Sequence, residues 1–173
     1  YTLNRFFETT EIDTLISTVE SRYTTFARGD LYDASLRASR RHRAFGGFSM
    51  GATTTWDVFA LRPQYFYGYM PMAGESWIGH AEDADEERIG QLVTDGALRA
   101  GYGPSDFRIL ASVGSEDPAL WDMTPQLDEL YQDYPDLMTE SSLQVWIDDG
   151  EDHSMTSVCN QVAHNLPLLF PHS

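Results

Sequence analysis

A chain of 173 residues that is 42% hydrophobic and 13% aromatic is long enough to bury one sizeable core, so residues 1–173 are expected to form a single domain. Its formal charge of -16 excludes nucleic acid as a partner, because a phosphate backbone would be repelled and no basic stripe offsets the repulsion. No run of about 18 apolar residues occurs, so no segment is predicted to span a membrane.

The first predicted element is an amphipathic helix. After a Thr/Glu-rich start at Thr9, Ile12, Leu15, Ile16, Val19 and Tyr23 recur at helical spacing toward Phe26. Residues 27–43 read as a polar link, with Arg37, Arg40, Arg41 and Arg43 as its solvated approach to the next element. Ala44 to Phe48 is short and apolar, as a buried strand is, and runs straight into Gly47-Phe48-Ser49-Met50-Gly51. Gly-x-Ser-x-Gly between a strand and a helix is the pattern of a nucleophile elbow, in which small neighbours let the backbone turn sharply and present the serine. The following helix has Trp56, Phe59 and Ala60 on one face.

Two more apolar runs, Tyr67 to Gly74 and Phe107 to Gly114, have the length of buried parallel strands. Between them the acidic run 82–87 reads as the first turn of a helix, favoured by the helix dipole, and not as a metal site. A helix over Thr124 to Asp133 with Pro125 in its first turn, a strand at Leu143 to Asp148, and a closing helix from Met155 to Phe170 complete the order. Strand and helix alternate four times, which predicts an α/β fold with a parallel sheet, helices on both faces, and reactive groups at the strand carboxyl ends. The single Cys159 cannot close a disulfide within the chain and reads as a small buried apolar side chain, and no Cys/His spacing suggests structural zinc.

A serine hydroxyl is a weak nucleophile at neutral pH and needs a histidine to take its proton and an acid to orient that histidine. Both are present in the chain order this fold uses: Ser115-Glu116-Asp117 follows the third strand, and Glu151-Asp152-His153 follows the fourth. Of the five histidines, His42 falls at the opposite end of the sheet, His172 is terminal, and His80 and His164 compete more weakly with His153. Asp117 is favoured as the acid, with Glu116 as the second choice, since spacing alone does not separate them. The backbone N–H of Met50 is the expected oxyanion donor, and a second should come from a loop after an earlier strand. Only a helix precedes Ala44, so the residues are expected to be the carboxy-terminal portion of a longer catalytic domain whose preceding segment completes the site.

Together, residues 42–51, 70–77, 114–117 and 150–153 resemble the feruloyl esterases of carbohydrate esterase family one, within the broader esterase D group. The resemblance covers nearly the whole chain. It implies an α/β hydrolase, secreted, that releases ferulic acid from arabinoxylan without metal or organic cofactor. By motif, Ser49 would be the nucleophile, His153 the general base and acid, and Asp117 the orienting acid, while Trp77 would lie at the mouth of the site against the aromatic acid or the sugar. An acetyl xylan esterase or a thioester hydrolase acting on S-formylglutathione could use the same triad. A noncatalytic carbohydrate-binding module would need none of the three residues.

Overall fold

The computed structural model describes residues 2–81 and 88–170. The described residues form a four-stranded sheet in the order β1 (Ala44–Phe48), β2 (Gly68–Met72), β3 (Arg108–Gly114) and β4 (Leu143–Asp148), with every neighbouring pair parallel. Parallel neighbours cannot be joined by a hairpin, so a helical crossover separates each strand from the next. These are α4 (Met50–Leu61), then α5 (Ile78–Ala81) with α6 (Ile89–Arg99), then α7 (Ala119–Asp133); α8 (Met155–Asn165) follows β4.

Alternation along the strands divides the interior into two layers. Tyr69, Ile109, Ala111, Val113 and Leu143 face the larger core with Trp56, Phe59, Val93, Ala97 and Leu130, whereas Met70, Met72 and Leu110 face the smaller one with Leu169. Helices therefore cover both faces, as the alternating pattern predicts. α4 is buried almost all round, and not along one stripe as expected, because it packs on β1, β2 and α6 at once.

The segment before β1 differs most from the sequence-based expectation. Helix begins at Thr2, well before Thr9: α1 (Thr2–Phe6) passes through a π-helical turn at Phe7–Glu11 into α2 (Ile12–Arg22). The supposed link contains α3 (Asp33–Ala38) and a 3-10 turn at Arg40–His42. Two of its arginines are held by the fold and not freely solvated: Arg40 is buried and Arg43 is largely covered. Arg40 lies over the Tyr102 ring at 4.4 Å. Arg43 donates to Glu20 Oε1 at 2.7 Å, to the carbonyls of Leu36 and Tyr65 at 2.8 Å each, and to Ser39 Oγ. A guanidinium with its fork filled this way ties α2, α3 and the approach to β2 to the foot of β1.

α7 starts at Ala119, five residues before the expected Thr124, so Pro125 sits inside it and offers no N–H to the carbonyl of Trp121. α8 buries Ser157, Gln161 and Asn165, while Val162 packs on the smaller core with Leu169 and Leu166 is exposed, so the fully buried residues of α8 are polar. Those polar groups are paired: Ser112 Oγ donates to Gln161 Oε1 at 2.8 Å and accepts from Asn165 Nδ2 at 3.0 Å. Cys159 is exposed, contrary to its reading as a buried side chain. The acidic run 82–87 lies outside the described residues. Among the described residues, no helix is long and apolar enough to cross a membrane.

Candidate active site

Ser49 is the corner between β1 and α4. Its backbone lies at φ 57° and ψ -119°, a conformation that a residue with a side chain adopts only when its surroundings enforce it. The enforcement is visible: Ser49 N donates to Met72 O at 2.8 Å, and Ser49 O accepts from the N–H groups of Ala52 at 2.8 Å and Thr53 at 3.2 Å. A Cβ on Gly47 would lie 2.7 Å from the backbone of Gly51, so the corner can close this tightly only because Gly47 has none. Met50 is the first residue of α4, where backbone N–H groups have no intrahelical acceptor. The helix end is clamped from outside by Asn4, whose Nδ2 reaches Met50 O at 3.4 Å and Thr54 Oγ1 at 3.1 Å.

The acid and the histidine come from adjacent loops. Asp117 Oδ2 is 2.8 Å from His153 Nδ1, and the Asp117 side chain is fully buried while that of His153 is 39% exposed. Asp117 Oδ1 is held separately by the N–H of Ala119 at 2.9 Å, at the start of α7. Glu116 is exposed, and of the two candidates it is Asp117 that meets the imidazole. A buried carboxylate on Nδ1 places the imidazole proton there and leaves Nε2 free to accept another.

The two loops are laced together by Ser115 N to Asp148 O at 3.0 Å, Glu116 N to Glu151 O at 2.9 Å, and Gly150 N to Ser115 Oγ at 2.8 Å. They approach so closely that a Cβ on Gly114 would fall 2.1 Å from Glu151 O. Ser49 Oγ has no hydrogen-bond partner among the described residues. The His153 ring instead packs on Phe48, the residue before the serine, with centroids 4.4 Å apart. The three side chains thus come from the carboxyl ends of β1, β3 and β4.

Trp77 follows β2 on the same rim, half buried, with its N–H given to Glu75 and its ring edge-on to His80. Of the competing histidines, His80 lies beside Trp77, His42 stacks on Phe26 at the amino ends of the strands, His164 stacks on Trp146, and His172 lies outside the described residues. Ser115 and Phe48 were not foreseen as contributors. Short polar residues in a turn and apolar residues in a strand carry no signal of which side chain they will position.

No family model matches the chain. It is 29% identical over 160 residues to endo-1,4-beta-xylanase Y of Acetivibrio thermocellus, spanning 90% of this chain but 14% of that protein. Among solved structures, a serine-to-alanine mutant of the feruloyl esterase module from Clostridium thermocellum complexed with sinapinate matches with a TM-score of 0.80 and 27% identity, over 99% of this chain and 60% of that one. A solved FAE structure matches with a TM-score of 0.79 and 28% identity, over 97% of this chain and 58% of that one. S-formylglutathione hydrolase of Staphylococcus aureus shares the fold alone, at a TM-score of 0.53 and 16% identity.

Proposed function

We propose that this chain, an α/β hydrolase similar in sequence and fold to feruloyl esterase modules, carries the catalytic triad of a secreted serine esterase that releases hydroxycinnamic acids from arabinoxylan. The observation that carries the reading is the Asp117–His153 pair lying on the same rim as a serine held at a strained strand-to-helix corner.

In this mechanism Ser49 Oγ attacks the ester carbonyl while His153 Nε2 takes its proton, and buried Asp117 stabilises the imidazolium that forms. The tetrahedral oxyanion is held by the N–H of Met50 together with a second donor from a preceding segment of the same enzyme. His153 then passes its proton to the departing sugar oxygen, leaving a feruloyl group on Ser49. Water, deprotonated by the same histidine, releases ferulate and restores the serine. No step calls on a cofactor, and Trp77 lines the approach to the reacting centre.

The test is hydrolysis of methyl ferulate beside methyl acetate. Ferulate release that falls by about 10⁴-fold or more in Ser49→Ala is expected. Release undiminished in the variant would refute the assignment, and acetate released in preference to ferulate would move the substrate to small acyl groups.

A further inference from the structure

Beside the candidate triad lies a cleft of about 310 Å³ between the loop that leaves β2 and the first turns of α7. Both walls start at strand carboxyl ends, so the cleft opens on the rim that holds Ser49, Asp117 and His153. Its walls are fixed to each other: Ser76 N donates to Gln126 Oε1 at 2.8 Å, and Ser76 Oγ donates to the buried carboxylate of Asp57. The space therefore exists before anything binds.

Three features say what would fill it. Trp121 is 81% exposed, and its ring is free on the cleft wall only four residues beyond Asp117. Gln126 is 2% exposed, and with its oxygen committed to Ser76 its amide NH₂ has no partner among the described residues, which leaves its donors available to an occupant of the cleft. Glu75 and Asp122 supply acceptors, and the carbonyl of Trp121 lacks the helical N–H that Pro125 cannot provide. An aromatic face flanked by both donors and charged acceptors suits a ligand with apolar C–H faces and hydroxyls that donate and accept at once. Two carboxylates on the wall, in a chain of charge -16, turn away anions. The volume is at the small end of ligand clefts, which run about 300–1,000 Å³, so it takes a short saccharide and not a long chain.

We infer that this cleft is a subsite for a neutral sugar unit of the ester's glycan, with Trp121 as its stacking platform and Gln126 as its hydroxyl-binding group. The inference rests on the esterase reading above, because the sugar is the alcohol portion of that substrate.

The experiment compares kcat/KM for a feruloylated arabinoxylo-oligosaccharide and for methyl ferulate, in the parent, Trp121→Ala and Trp121→Phe. Covering about 40 Å² of indole face is worth roughly fivefold in affinity, so Trp121→Ala should lose about fivefold on the oligosaccharide, mostly in KM, and less than about twofold on methyl ferulate. Trp121→Phe should recover most of the loss. Equal losses on the two esters would make the cleft the acyl pocket, and no loss on either would make Trp121 an idle surface residue; either result overturns the subsite. A second arm titrates Ser49→Ala with the unacylated oligosaccharide and follows tryptophan fluorescence, with Ser49→Ala/Trp121→Ala as control. A change lost in the control supports the subsite even if methyl ferulate is not hydrolysed, in which case only the esterase reading fails; no change at all refutes the subsite.

Discussion

At the scale of single residues, Asp117 and Glu116 are neighbours in sequence with opposite fates. The turn closed by Asp117 N on Gly114 O at 3.2 Å brings the aspartate inside and leaves the glutamate in solvent. Asp117→Asn should lower kcat for ester hydrolysis by about 10⁴-fold, since the amide would hold the imidazole in the wrong tautomer, whereas Glu116→Gln should change it by less than about twofold. Steady-state kinetics on the two variants decides between them, and a larger loss in Glu116→Gln would reverse the assignment. The elbow was legible because Gly47, Ser49 and Gly51 stand at fixed offsets that backbone sterics demand. The choice of acid was not legible, because it depends on the sense of one turn.

At the scale of elements, the strands follow from the sequence to within a residue or two, since each is a short apolar run between turn residues. Helix starts were harder. Pro125 fits the first turn of a helix, but α7 begins earlier, where Asp117 accepts from Ala119 N, and tolerates the proline inside it. The arginines before β1 were misread for a related reason: composition shows charge but not the carbonyls and the carboxylate that gather around it. The Arg43 side chain is 14% exposed and that of Glu20 4%, so removing one partner strands a buried charge. Arg43→Ala is expected to cost about 3–5 kcal/mol in urea denaturation, and Arg43→Met with Glu20→Leu together distinctly less than Arg43→Ala. A cost below about 1 kcal/mol for Arg43→Ala would show that the network does not hold the foot of β1 in place.

At the scale of the whole molecule, the amino-terminal helices pack on the elbow helix and bury a carboxyl group against it. Glu8 is fully buried, and neither carboxylate oxygen has a hydrogen-bond partner among the described residues. Burial, then the nearby Asp57 carboxylate, push its pKa up to about 8, against an opposing pull from Arg5. In the unfolded chain it ionises near 4.5, so from there to about pH 8 the folded state holds a proton that the unfolded state has lost. Stability from this site is thus complete at low pH and declines as pH rises through that window. Glu8→Gln, which keeps the neutral shape, should match the parent at pH 4 and exceed it increasingly up to pH 8 in thermal melts. A parallel offset at all pH values would mean that Glu8 does not titrate between the two states.

The all-parallel ladder also bears on how the protein comes to be active. Ser49, Asp117 and His153 leave three different strands, and the acid and the base alone are 36 residues apart in sequence. Each strand pairing closes a long loop before it returns any contact energy, which slows folding relative to hairpin-connected sheets. The pairing of β1 with β2 fixes the Ser49 corner, through Ser49 N on Met72 O, but does not by itself bring Asp117 or His153 to it. If the proposed triad is the catalytic one, activity therefore requires all three strand pairings, since no single pairing brings Ser49, Asp117 and His153 to the same rim.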